Sequence, residues 1–370
     1  MPEVRSDERM PMNSVEAIIY LCKCAVNEQK ADPDRIADAD LDAVYSFAEK
    51  HMLAAAVGLA LADAGVQTPK FRQAVAMAKR KTVVLNSERA AVCQALNQAG
   101  VWHMPLKGSV LKDWYPQFGM RESADIDLLF DPQREADVKA IMIAQGYEVQ
   151  SYGDGHHDVY FKKPLTNMQM HVALFGPGYP EALNAYFGDV KTRLVPKAES
   201  EFAFTPDDFY LYFVAHAWDH FEKGGTGLRT VLDTYVMLRH LTLDMDAVSA
   251  ACAQLGIGAF EEKNRTLAMH LFGDGAPTDA DREMLNYMLG SGAHGTLQNA
   301  VRSKVRRYGG GPAGKIKYIF KRLFLPMGTI RRHYPTFYKY KILIPFLPFY
   351  RLARGGVQRT LSELKALKHK

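Results

Sequence analysis

With 370 residues, 48% of them hydrophobic and 24% charged, the chain can build two or three packed domains and is too apolar for wholesale disorder. Its four cysteines (Cys22, Cys24, Cys93 and Cys252) lack C-x-x-C spacing, which argues against a zinc ribbon and suits a reducing cytoplasm. The net charge of +5 hides a division: residues 301–370 carry 18 Lys and Arg against one acid, Glu363, whereas the preceding 300 residues carry 28 bases and 40 acids.

The N-terminus, MPEVRSDERMPMN, has no apolar core of a secretory signal, and no stretch reaches the roughly 20 apolar residues of a spanning helix. A cytoplasmic protein is therefore expected. From Ser14 to Gly100 the apolar residues fall at helical spacing, with Asn13-Ser14 as the first N-cap signal, so residues 1–100 read as a helical region of three to five helices. Val101–Leu106 reads as a short buried strand followed by Lys107-Gly108-Ser109, and residues 110–115 as a helical turn ended by Pro116. Ile126–Phe130 is the next strand, residues 133–145 an amphipathic helix stopped by Gly146, and Tyr147–Tyr152 another strand. Two further strands near 157–162 and 167–174 flank a turn at residues 163–166. This α/β core spans residues 101–180, with Pro177, Gly178 and Pro180 marking its exit. Residues 181–308 read as helical again, helix resuming in earnest at Thr205-Pro206 with Thr as N-cap and Pro at N1. The run 309–314, GGGPAG, has the composition of a linker. Beyond it a tail to residue 370 mixes bases with aromatics. The class is α+β, a small mixed sheet flanked by helical regions.

The chemistry concentrates in residues 106–130, LKGSVLKDWYPQFGMRESADIDLLF. A Gly-Ser pair opening a helix lets backbone N–H groups approach a polyphosphate. Asp125 and Asp127, two apart on a strand, present carboxylates on one face, where they repel each other unless a cation lies between them. Lys107 and Arg121 are candidates for neutralising phosphate charge, Arg121 by a bidentate grip.

Gly-Ser followed at this distance by Asp-x-Asp in an apolar strand resembles the DNA polymerase β-type nucleotidyltransferase superfamily. The fuller pattern, K-G, Y-P, then R-E-S-A-D-I-D-L-L, is similar to the bacterial uncharacterised nucleotidyltransferase family, whose members often belong to surface-polysaccharide gene neighbourhoods. H-A-W-D-H and L-R-T-V-L-D-T-Y-V-M-L extend the likeness. The resemblance implies an NTP substrate, two Mg²⁺ ions held by Asp125 and Asp127, nucleotide contacts from Lys107, Gly108, Ser109 and Arg121, and an unknown acceptor. It also implies a third carboxylate two residues before a His, where this chain has Gln169 before His171. An amide coordinates through oxygen but accepts no proton from an attacking hydroxyl. If the 163–166 turn is four residues long, Asp158 lies opposite His171 and shares a face with Gln169, replacing the lost acid; a shift of one residue puts it on the other face.

Several residues have plainer alternatives. His216 and His220 stand four apart on a helix, a zinc-compatible spacing without a third ligand, and read better as structural or substrate-contacting; His171 is a further candidate substrate contact. Arg229 and Asp233 read as an i,i+4 salt bridge, and His156-His157 as an exposed strand start. Three functions follow: a Mg²⁺-dependent transferase, a non-catalytic nucleotide-binding or interaction protein on a degenerate fold, and binding of nucleic acid or an anionic membrane surface through residues 301–370.

Overall fold

The computed structural model describes residues 12–351 apart from 154, 177, 178, 294, 328, 329, 332 and 333. Pro177 and Gly178, read as the exit from the α/β core, and the basic segment after Arg351 lie outside the described residues. Two units are distinguished. One comprises the described residues up to Trp218 together with Leu228–Asn286; the other comprises Asp219–Gly227 and the described residues from Tyr287 onward.

The first unit begins with five helices: α1 (Ser14–Val26), α2 (Pro33–Ile36), α3 (Leu41–Lys50), α4 (Ala54–Asp63) and the 30-residue α5 (Pro69–Gln98). Asn13 caps α1 as expected: its side chain accepts from the N–H groups of Val15 and Glu16, and Glu16 returns a bond to the Asn13 N–H.

A seven-stranded sheet follows. Its strands are β1 (His103–Pro105), β2 (Ile126–Phe130), β3 (Glu148–Ser151), β4 (His157–Lys162), β5 (Thr166–His171), β6 (Leu194–Ala198) and β7 (Glu201–Phe204), in the spatial order β3-β4-β5-β2-β1-β7-β6. The pairs β2–β5 and β1–β7 are parallel and the rest antiparallel. The α+β class with a mixed sheet is thus as expected, but the sheet is larger than the sequence suggested. Strands β6 and β7 lie inside the region read as helical, and β7 adds to the core through His103↔Glu201.

The period-two alternation of β2 and β5 separates two environments. Ile126, Leu128, Phe130, Met168 and Met170 face one side of the sheet and pack with Tyr160, Leu85, Val92 and Leu96 of α5, and Val138 and Met142 of α7 (Glu135–Ala144). Asp127, Leu129, Gln169 and His171 take the alternate positions. The short α6 (Gly108–Leu111) leaves β1 at the edge of that second face. After α8 (Glu181–Tyr186), the helices α9 (Pro206–Lys223), α10 (Leu228–His240), α11 (Met245–Gln254), α12 (Gly258–Phe272) and α13 (Asp279–Ser291) complete the series. Thr205 caps α9 through the Asp208 N–H, with Pro206 at N1.

In the second unit, α14 (Leu297–Arg307) and α15 (Gly311–Leu323) pack through Val301, Val305 and Tyr318. The glycine run read as a linker is instead a tight turn plus the start of α15. Gly314 explains part of the composition: a Cβ there would stand 2.6 Å from the Val305 carbonyl oxygen, so only glycine lets these helices meet so closely.

Candidate active site

The parallel register of β2 and β5 sets Ile126 beside Met168, Asp127 beside Gln169 and Leu129 beside His171. Two polar rungs result. The Gln169 side-chain N–H donates to Asp125 Oδ2 at 2.8 Å, and His171 Nε2–H donates to Asp127 Oδ1 at 2.9 Å. Asp125 ends the loop entering β2 and is partly exposed, whereas Asp127 and His171 are buried.

The turn after β1 is bound to the same strand. The Leu106 N–H donates to the Asp127 carbonyl at 3.0 Å, and the Lys107 ammonium stands 3.7 Å from Asp127 Oδ1. Lys107 adopts φ +41°, a left-handed value uncommon outside glycine. The N–H groups of Val110 and Leu111 then close back onto the Lys107 carbonyl, which starts α6. Gly108 is sterically required: a Cβ there would meet Arg121 Nη1 at 2.6 Å and Ser123 Oγ at 3.3 Å. Ser109, buried at the start of α6, lines one small cavity with Asp125, Ser123, Arg89 and Lys112. Arg89, from α5, donates to the Ser109 carbonyl. Neither Arg89 nor Lys112 was singled out from the sequence, because nothing distinguishes one inward base among those of the Ala-rich α5, or Lys112 in the turn after α6.

The electrostatics divide the two aspartates. Burial and the neighbouring Asp127 charge raise the Asp125 pKa, against the opposing pull of Lys107, Arg229 and Lys81. Burial also disfavours the Asp127 anion, but Lys107, the hydrogen bond from His171 and the nearby imidazoles outweigh it and hold that carboxyl well below the usual range. Burial lowers the His171 pKa, with Asp127 opposing, so the ring is neutral at pH 7. Tyr212 of α9 closes this side: its phenol is raised by burial and then by Asp127, and its ring centroid lies 6.0 Å from the Lys107 ammonium.

Three expectations need correction. Asp158 pairs with Met170, and Val159 with Gln169, because Lys162 pairs directly with Thr166 and leaves a three-residue turn. That one-residue difference sends Asp158 to the core-facing side with Tyr160, where it accepts from the Gly153 N–H. Asp158 therefore does not replace the missing acid, and His157, opposite His171, occupies the site face. Second, Asp233 does not pair with Arg229. It takes a bidentate grip from Arg121 at 2.7 and 2.9 Å and a bond from the Tyr115 hydroxyl, all buried. Arg229 instead donates to the Glu122 carbonyl. One edge of the Arg121 guanidinium, Nε and Nη2, is thus committed to Asp233, so the bidentate grip expected for phosphate is spent there, and Nη1 is what it turns toward Ser123 and Gly108. Third, His156-His157 is no mere exposed strand start, since both are partly buried against His171. His216 stacks obliquely near Tyr212, at 6.3 Å between centroids, and the His220 carbonyl accepts from Gly224 and Gly225. Neither belongs to a three-residue metal-ligating cluster among the described residues.

The sequence profile of the uncharacterised nucleotidyltransferase family matches residues 37–273, which takes in the whole sheet, both aspartates and Asp233. The chain belongs to that family. Membership supports nucleotidyl transfer, with an NTP, an acceptor and a divalent cation as the general requirements of such enzymes. No curated protein matches the sequence. Among solved structures, the solution structure of the antibiotic-resistance factor ANT(2'')-Ia is similar at 13% identity and a TM-score of 0.34, covering 50% of this chain and 95% of that one. No helix among the described residues is long and apolar enough to cross a membrane.

Proposed function

We propose that this protein is a Mg²⁺-dependent nucleotidyltransferase whose active site is the β2–β5 face beside the Lys107–Ser109 turn. The observation that carries this reading is the meeting of two carboxylates, at the entry to β2 and within it, with a Gly-Ser turn tied to the same strand through the Leu106 N–H. The donor set suits the ion: two carboxylates and an amide oxygen are hard ligands of the kind Mg²⁺ accepts, and the Lys107 ammonium already attends Asp127 as a cation. Asp125 and Asp127 would hold the ion, which when bound offsets the charge of the phosphate oxygens. The turn at Gly108 and the Ser109 hydroxyl would receive the triphosphate, the Ser109 N–H being already bonded to the Leu106 carbonyl and the space beside the Gly108 Cα filled by Arg121 Nη1. The acceptor hydroxyl oxygen bonds to the α-phosphorus as the bond from that phosphorus to the α,β-bridging oxygen breaks; pyrophosphate leaves, and the acceptor proton passes to solvent, since Gln169 cannot take it. Lys107 balances charge beside the phosphates, and Gln169 holds Asp125 by its amide N–H. The family resemblance suggests an acceptor in surface-polysaccharide assembly.

Titration calorimetry of the full chain with each NTP, with and without Mg²⁺, tests the reading. Mg²⁺-dependent binding that disappears in Asp125→Asn/Asp127→Asn is the expected result. Equal affinity without Mg²⁺, or in the double variant, would remove it.

Gln169 favours a second reading, a nucleotide-binding protein that does not turn over. Its amide donates to Asp125 where the family pattern has a carboxylate, and it accepts no proton from an acceptor hydroxyl. Tight Mg²⁺–NTP binding without pyrophosphate release across a wide acceptor screen would favour it.

For localisation, we propose peripheral association with an anionic membrane face through the second unit. On and after α15, Ile316, Phe320 and Phe324 are exposed beside Lys315, Lys317 and Lys321, and Ile342, Phe346 and Phe349 are exposed further on. Exposed apolar side chains interleaved with bases suit an anionic interface. Co-sedimentation with phosphatidylserine vesicles, lost in Phe320→Ser/Phe324→Ser, is expected; equal binding to single-stranded oligonucleotides would point to nucleic acid instead.

A further inference from the structure

Around the face that carries Asp127 lie three imidazoles, of which the nucleotide reading uses only the His171 N–H to Asp127. His156 precedes β4, where its carbonyl accepts from the N–H groups of Val172 and Ala173; His157 opens β4; and His171 ends β5 directly opposite. One ligating nitrogen from each of the three lies within 4.8 Å of the others.

We infer that His156, His157 and His171 form a transition-metal site, of the class that binds Zn²⁺, next to the nucleotide site. Three observations bear on it. His157 Nδ1 and His156 Nε2 are 3.2 Å apart, close to the roughly 3.3 Å between two donors of a tetrahedral centre with bonds of about 2.0–2.1 Å. His171 is 2% exposed, and its buried Nδ1 meets no hydrogen-bond partner of ordinary geometry, the Ala173 backbone lying near enough only to favour the protonated ring. A buried ring nitrogen so weakly satisfied is costly, and a metal ion is one of the things that satisfies it. Finally, the other nitrogen of His171 donates to Asp127, which is the arrangement that orients metal-binding histidines elsewhere: a carboxylate takes the far N–H and leaves the near lone pair facing the ion.

The remaining nitrogen–nitrogen distances of the cluster are at most 4.8 Å. The chemistry differs from that of the aspartate pair. Three neutral imidazoles suit Zn²⁺ or a neighbouring first-row ion, whereas two carboxylates suit Mg²⁺. Three protein ligands leave a fourth position open to water or to a ligand atom. Asp127 stands between the two sites, so zinc loading fixes the ring that holds Asp127 in place.

The test is titration of the metal-free full chain with Zn²⁺ alone, in buffer without Mg²⁺ or nucleotide, alongside the visible absorption of bound Co²⁺. One equivalent with a tetrahedral Co²⁺ spectrum is expected for the wild type. His157→Ala and the bulkier His157→Gln should each weaken Zn²⁺ at least 100-fold while retaining a cooperative thermal transition, and Asp127→Asn should weaken it 10- to 100-fold. Cys93→Ser should change nothing; loss of zinc in that variant would assign the ion to Cys93, His103 and Glu201, another cluster within ligating distance, and overturn the inference. No stoichiometric zinc in the wild type, or unchanged affinity in both His157 variants, would also overturn it. Because neither nucleotide nor Mg²⁺ enters this titration, its failure leaves the transferase reading standing, and the reverse holds too.

Discussion

Asp125 and Asp127 are two residues apart on one face, yet their surroundings push them in opposite directions. Asp125 bonds a neutral amide, sits partly open to solvent, and is pushed toward protonation by burial and by its neighbour. Asp127 is buried, but a lysine and an imidazole N–H keep it ionised. The difference comes from which β5 side chain reaches each, Gln169 donating to Asp125 and His171 to Asp127, each reaching back two residues from its own partner in the parallel register. A D-x-D pattern therefore does not specify two equivalent ligands. One is charged in advance and held in place by the fold, and the other needs an arriving cation to stay ionised.

Removing Asp127 should break this contrast most severely. Asp127→Asn leaves Lys107 without its counter-charge and disrupts the bond from His171, so a loss of about 1.5–3 kcal/mol in unfolding free energy is expected, together with loss of Mg²⁺–NTP binding. The pH dependence follows the same sign. A carboxylate whose folded pKa is depressed contributes stability that is complete above its unfolded value of about 3.9 and is lost as pH falls toward the folded one. Wild type and Asp127→Asn should therefore converge in melting temperature only in strong acid. Equal stability at pH 7 would show that Lys107 and His171 do not hold the anion.

Gln169→Glu tests the other rung. Placing a second carboxylate beside Asp125 should lower stability by about 1–2 kcal/mol at neutral pH without metal, and Mg²⁺ should restore it. Mg²⁺ affinity should rise about tenfold, equivalent to about 1.4 kcal/mol. The penalty belongs to a raised pKa, so it should fade as pH drops through that raised value. A variant that is destabilised yet gains nothing from Mg²⁺ would place the cation away from Asp125.

Asp125→Asn should have a smaller effect of the opposite sign to that of Asp127→Asn. Replacing the disfavoured anion with a neutral amide should stabilise the metal-free protein by roughly 0.5–1 kcal/mol at pH 7 while weakening Mg²⁺–NTP binding. The gain should vanish below the unfolded pKa, where Asp125 is protonated in both states. A marked destabilisation, read from chemical denaturation at pH 7, would mean that the Gln169–Asp125 bond matters more to the fold than the charge does.

What could be read from the sequence was local. Gly108, Ser109, Asp125 and Asp127 lie within 20 residues, and strand alternation alone brings the two carboxylates to one face. The Asn13 and Thr205 caps were likewise visible, since each acts within three residues. The partners across long separations were not. Asp233 reaches Arg121 over 112 residues, and its local candidate, Arg229 at i−4, proved to be engaged elsewhere. Strands β6 and β7 were missed for a different reason: each is short, most of β6 is exposed, and neither has the alternating apolar pattern that marks a half-buried strand. The histidine cluster was half visible, as His156-His157 and His171, but its assembly depends on a register that the length of one turn decides.

That register yields the most discriminating prediction, and the one with the smallest expected effect on metal binding. Asp158 and Gln169 would share a face had the 163–166 turn held four residues; with Lys162 paired to Thr166 it holds three, and Asp158 turns toward Tyr160 and the core. Asp158→Asn removes a charged acceptor from the Gly153 N–H, so a loss of about 1 kcal/mol in stability is expected. Mg²⁺–NTP affinity and zinc stoichiometry should not change, because no atom of Asp158 faces the strand side that carries Asp127. His157 occupies the contrasting position one residue earlier, and His157→Ala should change zinc binding. The pair therefore reads the register directly: adjacent residues of one strand, one silent toward metal and one decisive. If Asp158→Asn abolishes Mg²⁺ binding while His157→Ala leaves both metals unaffected, the β4–β5 pairing is off by one residue in solution, and the third acid of the site is Asp158 after all.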